Sequence, residues 1–249
     1  MKIDLNCDMG ESFGAYRLGD DAAILPFITS ANVACGFHAG DALVMQATVG
    51  LCAAARVRVG AHPSTPDLQG FGRREMSLAP EEAEAFVLYQ VGALAAFAGA
   101  AGVELTHVKP HGALYNQAAR DPALAEAVAR GVARFSRGLI LVGLAGSALV
   151  AAAAAAGLHA ASEGFPDRAY NPDGSLRSRR LPGAVLHDPA QIAANAIRLA
   201  TEGIAMQAQG QVTVDTLCLH GDNPAAVAAA QAVRAALAEA NIEVVGLGT

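Results

Sequence analysis

Cysteine is scarce in this chain of 249 residues, and Cys7, Cys35, Cys52 and Cys218 form no Cys-x-x-Cys pair. Free thiols in a reducing cytoplasm are therefore expected, rather than a disulfide framework. Basic charge is also short: 17 Lys and Arg stand against 23 Asp and Glu, for a formal net charge of -6. A nucleic-acid or membrane partner would need a concentrated basic face, so neither is expected, and small polar or anionic metabolites remain. The alanine-rich segments are interrupted before any reaches the roughly 20 apolar residues of a membrane span. The first residues lead straight into a strand-like run, without the charged and apolar regions of a signal peptide. Missing too are Gly-x-x-x-x-Gly-Lys-[Ser/Thr], Gly-x-Gly-x-x-Gly and His-Glu-x-x-His, so a nucleotide or metal would be held without those cradles.

What the chain has in plenty is apolar material, 53% of its residues, set out in alternating strand and helix periods. In the first strand Ile3 and Leu5 lie on one side, and Asp4, Asn6 and Asp8 on the other. Further strands are expected at 30–35, 57–61, 103–106, 139–142, 158–162 and 213–219, with 242–245 as a closing addition. Helices opened by Asp41, Pro80, Asp121-Pro122, Ser147, Pro189 and Pro224 fall between them. Their expected buried stripes include Val44, Thr48, Leu51 and Ala55; Val87, Val91, Leu94 and Ala98; and Leu124, Val128, Val132 and Phe135. The helix at 189–207 is expected to bury Ala193, Ile197, Ala200 and Ile204. Residues 164–188 show no period and read as a lid or a disordered loop.

Strict alternation is the pattern of a parallel α/β protein, and no shift in composition marks a linker, so residues 1–249 read as one domain. Nearly every strand is followed by a loop carrying His, Asp, Glu, Lys or Asn. An open sheet would gather only a few of these at its switch point. Contributions from so many strand ends converge only on a ring, which points to a TIM-like (β/α) barrel, seven-stranded or distorted, with its site at the C-terminal mouth.

The run 107–111 (His-Val-Lys-Pro-His) sets His107, Lys109 and His111 at every second position, so an extended chain points all three to one side. His38, His62 and His220 also lie at or just after strand ends, and this clustering favours a shared function over separate structural roles. Asp8 and Glu11 are the carboxylates best placed for acid-base work, whereas Asp4 reads as a structural partner of Lys109. Asp8 with several imidazoles would also suit a divalent ion. On a strand, however, His107 and His111 would lie roughly 13 Å apart at about 3.3 Å per residue, so a bound transition metal stays undecided. Arg168, with Arg177, Arg179 and Arg180 on the long loop and Arg73-Arg74 elsewhere, suits a carboxylate or phosphoryl ligand. Asp222-Asn223-Pro224 has the form of a helix cap followed by a helix-opening proline.

Several blocks carry a family resemblance: 4–11 (Asp-Leu-Asn-Cys-Asp-Met-Gly-Glu), 30–41 (Ser-Ala-Asn-Val-Ala-Cys-Gly-Phe-His-Ala-Gly-Asp), 60–64 (Gly-Ala-His-Pro-Ser), 70–74 (Gly-Phe-Gly-Arg-Arg) and 107–116 (His-Val-Lys-Pro-His-Gly-Ala-Leu-Tyr-Asn). With 167–170 (Asp-Arg-Ala-Tyr) and 220–224 (His-Gly-Asp-Asn-Pro) they span nearly the whole chain and resemble the LamB/YcsF family of 5-oxoprolinase A-subunits. The resemblance implies a barrel related to the glycoside hydrolase/deacetylase barrels. It also implies a component that opens 5-oxoproline to glutamate at the expense of ATP, with magnesium as the nucleotide's ion and two companion subunits (B and C). The number of copies in such an assembly, homo-oligomers included, is left open. The Asp-Asp and metal-histidine signature of the deacetylases is absent, so their metal chemistry does not carry over, and Gly164-Phe165-Pro166 departs from the family pattern.

On this reading Asp8 or Glu11 is the base, His62 or His111 the proton donor, and His220 a further catalytic candidate. Lys109 and Arg168 would hold the substrate carboxylate or a phosphoryl group, and Asn6, Asn32, His38 and Asn116 would position the substrate. Two rival readings use the same barrel: a stand-alone metal-dependent deacetylase or amidohydrolase, and a non-catalytic subunit that binds the substrate for its partners.

Overall fold

The computed structural model describes residues 1–219 and 226–249. In chain order its elements are β1 (Lys2–Met9), α1 (Asp21–Ile24), β2 (Ser30–Ala34), α2 (Ala42–Ala55), β3 (Arg58–His62), α3 (Pro80–Ala100), β4 (Leu105–Val108), α4 (Gly112–Arg120), α5 (Pro122–Phe135), β5 (Ile140–Leu144), α6 (Ala148–Ala155), β6 (His159–Gly164), α7 (Pro189–Glu202), β7 (Ile204–Met206), β8 (Gly210–Val212), β9 (Thr216–Leu219), α8 (Ala226–Glu239) and β10 (Glu243–Val244).

In β1 the period of two has its full effect. Ile3, Leu5, Cys7 and Met9 belong to the apolar core between strands and helices, while Asp4, Asn6 and Asp8 face into the ring. From β1 the parallel pairing runs through β2, β3, β4, β5, β6 and β9, and β9 returns to β1 with Asp4 opposite Thr216. Among the described residues, seven parallel strands thus close a barrel, the architecture expected from the strand-end chemistry. β10 adds only to the start of β1, and β7 with β8 forms an antiparallel hairpin outside the ring. Cys7, Cys35, Cys52 and Cys218 are free and buried.

The helical layer agrees with the sequence where one face alone is apolar. Leu124, Val128 and Val132 of α5 are buried as expected, as are Val87, Val91, Leu94 and Ala98 of α3, whereas Phe135, expected in the same stripe, ends α5 exposed to solvent. α3 is long and apolar enough to cross a membrane by composition, yet in this fold it packs on α5 and the barrel.

Three expectations are corrected. α2 buries Met45, Thr48, Val49 and Cys52, leaving Leu51 exposed, because apolar residues surround the helix and no single stripe stands out. α7 ends at Glu202, where Gly203 adopts φ 74° and turns the chain into the hairpin, so Ile204 is a strand residue and the buried face is Ile192, Ala193, Ala196 and Leu199. α4 is an additional short helix between the 107–111 run and α5. The 164–188 segment has no regular helix or strand, but isolated bridges join Arg168 to Val185 and Tyr170 to Leu176.

Candidate active site

Strand alternation builds a polar interior that rises towards the mouth. At its base Asp4 accepts hydrogen bonds from the hydroxyls of Thr29, Ser30 and Thr216, while burial pushes its carboxyl above the usual range. Asn6 donates to Thr216 Oγ1 (2.7 Å) and Glu163 Oε1 (3.0 Å). Asn32 donates to Asn6 Oδ1 (2.7 Å) and Asp8 Oδ1 (2.9 Å), and His107 Nε2 donates to Asn32 Oδ1 (2.9 Å). Burial holds the His107 imidazole down at about 3, so it is neutral and serves to orient Asn32.

The expected Asp4–Lys109 pair is not formed, since three hydroxyls already satisfy Asp4. Lys109 Nζ lies between Asp8 Oδ1 (2.9 Å) and Glu163 Oε1 (2.8 Å), and also meets Asn6 Oδ1 (3.2 Å) and Cys218 Sγ (3.1 Å). Burial opposes its charge, but Asp8, Cys218 and Glu163 outweigh that and hold the ammonium well above its usual pKa. Three N–H groups face four acceptors, so Lys109 is fully engaged within the barrel and holds Asp8 in place. Burial would likewise raise the Asp8 carboxyl, yet His62 and Lys109 hold it well below the usual range. Asp8 is the ionised group of the site.

Above this floor the loops after β1, β2 and β4 and the last residue of β3 bring Glu11, His38, His111 and His62 together. The chain stays extended beyond β4: Lys109 N donates to Ala61 O and His111 N to Pro63 O, so the alternation read from 107–111 persists to His111. Two side chains tether the Glu11 loop, Gly10 N donating to Asp21 and Gly14 N to Asp41, which also caps α2. The loop after β3 is held by Gln90 of α3, bound to both Ser64 N and Ser64 O, and by Asp67, which accepts from Gly70 N and Arg74 Nε.

Within the cluster His38 stacks on His111, with ring centroids 3.8 Å apart and 4° between planes. His62 Nε2 and His111 Nδ1 are 3.0 Å apart, and Asp8 Oδ2 is 3.3 Å from His62 Nε2. Glu11 Oε1 lies 3.3 Å from His38 Nε2 and 3.5 Å from His111 Nδ1. Burial lowers His38 well below the usual imidazole range and His111 to about 3.

A cleft of about 780 Å³ opens over these groups, within the range of small-molecule sites. Asp8, Glu11, His62, Lys109 and His111 reach its wall, together with Asn116 and Arg168. Asn6, Asn32 and His38, expected to position the substrate, are buried beneath it and support the groups that line it. Asn116 donates to Gly112 O, and the Arg168 guanidinium to the carbonyls of Ala184 and Arg177, which ties the 164–188 segment over one side of the mouth. His220, and with it Asp222-Asn223-Pro224, lies outside the described residues.

Sequence reasoning passes over Glu163, Tyr115 and the separate fates of Arg73 and Arg74. Glu163 carries a signal, an acid at the end of a strand, and the structure makes it the second counter-ion of Lys109, with Tyr115 Oη donating to its other oxygen at 2.7 Å. Arg73 lines the cleft, while Arg74 turns onto Asp67.

The LamB/YcsF family profile matches residues 3–249. The 5-oxoprolinase A-subunit of Syntrophobacter fumaroxidans is 53% identical over 251 residues, covering 100% of this chain and 99% of that protein. Among solved structures, the lactam utilization protein from Thermus thermophilus superposes with a TM-score of 0.92 at 49% identity, over 99% of this chain and 100% of that one. A peptidoglycan N-acetylglucosamine deacetylase shares the fold alone, with a TM-score of 0.52 at 12% identity over 99% of this chain and 86% of the other.

Proposed function

Because this chain belongs to the LamB/YcsF family, we propose that it is the A-subunit of a 5-oxoprolinase, a hydrolase that opens the lactam ring of 5-oxoproline to give L-glutamate. One observation carries the reading: an ionised carboxylate, Asp8, stands beside paired imidazoles at the foot of a cleft lined by Arg73, Arg168 and Arg179. The arginines suit an anionic substrate, and the carboxylate and imidazoles suit proton transfer at its ring.

A lactam carbonyl is a poor electrophile because the ring nitrogen donates into it. In the proposed reaction the γ-phosphoryl group of ATP, with its magnesium ion, is transferred to the carbonyl oxygen. Water then adds to the activated carbon as Asp8 takes its proton, and the ring C–N bond breaks as that proton, relayed from Asp8 through the His62–His111 pair, reaches nitrogen. A second water releases phosphate from the resulting γ-glutamyl phosphate, leaving glutamate, ADP and phosphate. This chain has no familiar phosphate-binding loop, so we assign part of the nucleotide site to the companion subunits B and C. Four free buried thiols fit a reducing compartment, and the cytoplasm is the proposed location.

Glutamate release from 5-oxoproline tests the reading. It is expected from this chain with both companions and ATP, and not from the companions alone. Undiminished release without this chain would overturn the assignment, and release by this chain alone, without ATP, would favour the stand-alone amidohydrolase.

Gly72 gives a local test of the site. It adopts φ +63°, and a Cβ there would overlap Ser64 Oγ and stand 2.8 Å from His111 Cδ2 and 2.9 Å from the His38 Cβ. Gly72→Ala is expected to cost about 1–2 kcal/mol for the backbone conformation alone and to lower kcat/KM by at least about tenfold as His111 is displaced. Wild-type kcat/KM in a folded variant would show that this placement of His111 is immaterial.

A further inference from the structure

We infer that Glu11, His38, His62 and His111 form a binding site for one divalent transition-metal ion of the zinc or cobalt kind. His62 Nδ1 lies 2.7 Å from the carbonyl oxygen of Lys109, and His111 Nε2 lies 2.8 Å from that of Phe71. A carbonyl only accepts, so both of these ring nitrogens carry protons. The second nitrogens of the two rings face each other, His62 Nε2 and His111 Nδ1 being 3.0 Å apart, and a ring that carries only its carbonyl-bound proton offers a lone pair there. The carboxylate oxygens Asp8 Oδ2, 3.3 Å from His62 Nε2, and Glu11 Oε1, 3.5 Å from His111 Nδ1, point into the same space.

Nitrogen and carboxylate oxygen atoms gathered in this way are the kind of ligand set a divalent transition metal takes. Imidazoles anchored to backbone carbonyls through the far nitrogen are also the arrangement that orients histidine for a metal. His38 adds a third nitrogen: its Nε2 faces Glu11, and its Nδ1 has no hydrogen-bond partner among the described residues. One ligand atom from each of the four residues lies within 4.8 Å of all the others. Ligands about 2.0–2.2 Å from a tetrahedral ion are separated by about 3.3–3.6 Å, a spacing that three of the measured contacts match or come within a few tenths of an ångström of. Three imidazoles and one carboxylate, with no thiolate, select a borderline ion such as zinc or cobalt over magnesium or calcium, which take oxygen shells.

His107 takes no part in this site. It is engaged deeper in the barrel by Asn32, and His111 finds its partners at or beyond the ends of three other strands. When bound, such an ion would take the place of the His62–His111 proton relay and set positive charge beside Asp8.

The test uses the untagged full chain and needs no turnover. After chelation and dialysis, one equivalent of Zn²⁺ or Co²⁺ is added, the chain is passed over a desalting column, and retained metal is measured by elemental analysis, with Co²⁺ followed by its visible ligand-field absorption. Retention of about one ion per chain and an intense tetrahedral-type Co²⁺ band are expected. His62→Gln, His111→Gln and Glu11→Gln should each weaken affinity at least about tenfold, while His159→Gln, an exposed ring elsewhere, should change nothing.

Melting of each metal-free variant checks its fold, and added metal should raise the Tm of the wild type but not of the His62 and His111 variants. Retention well below one ion per chain, or binding unchanged by the His62 and His111 substitutions, would overturn the site. In that case a proton shared between His62 and His111 is what joins the facing nitrogens.

Discussion

Lys109→Met is expected to destabilise the chain more than any other single change at the site. The substitution preserves most of the side-chain length but removes the ammonium that lies between Asp8 and Glu163, in a barrel interior where it is 3% exposed. Removing one partner of a buried ion pair leaves its counter-ion without compensation, and here two carboxylates would be left. A loss of about 3–5 kcal/mol in denaturant unfolding is expected, enough to threaten the folded state of a typical domain. Because the variant could fail to accumulate, Lys109→Met combined with Glu163→Gln is the informative companion: deleting one of the stranded charges should restore part of the loss. A single variant within about 0.5 kcal/mol of wild type would mean that Lys109 does not hold the two acids together.

Asp8→Asn should have the largest effect on turnover with the smallest effect on fold. Asparagine keeps the Oδ1 acceptor that serves Asn32 and Lys109 but cannot take a proton from water. In the reconstituted reaction kcat is expected to fall by about 10³-fold, within the range for loss of a general base, with KM changed much less. A kcat within about tenfold of wild type, in a variant whose melting is unaltered, would move the base to Glu11 or to the imidazoles. The contrast with Lys109→Met is itself a prediction. One variant loses the fold's internal charge balance, whereas the other keeps that architecture and loses the chemistry.

Much of this arrangement is legible without coordinates. The alternation Ile3, Leu5 against Asp4, Asn6, Asp8 defines the two faces of β1, since side-chain direction on a strand has a period of two whatever the fold around it. The same rule carries the 107–111 run through to His111, because the parallel ladder with β3 continues past the end of β4. Proline and aspartate at helix starts place α2, α3, α5 and α7, as local capping chemistry does not depend on distant partners. The stripe of α2 escapes sequence reasoning for the converse reason: in an alanine-rich helix with apolar residues on every side, only the neighbours decide which of them is covered.

The sequence by itself determined the barrel, the set of polar residues brought to its mouth and the family to which the motifs belong. Each of these follows from local period, from the position of charged residues at strand ends, or from long ordered motifs. The tertiary structure decided partnership. Reasoning along two strands pairs Lys109 with Asp4, but ring closure and the satisfaction of Asp4 by three hydroxyls give it to Asp8 and Glu163. Likewise no spacing in the chain foretells that His62 Nε2 and His111 Nδ1 face each other. That depends on which backbone carbonyls, Lys109 O and Phe71 O, lie behind each ring, and hydrogen-bond direction is fixed only when loops far apart in sequence are folded against one another.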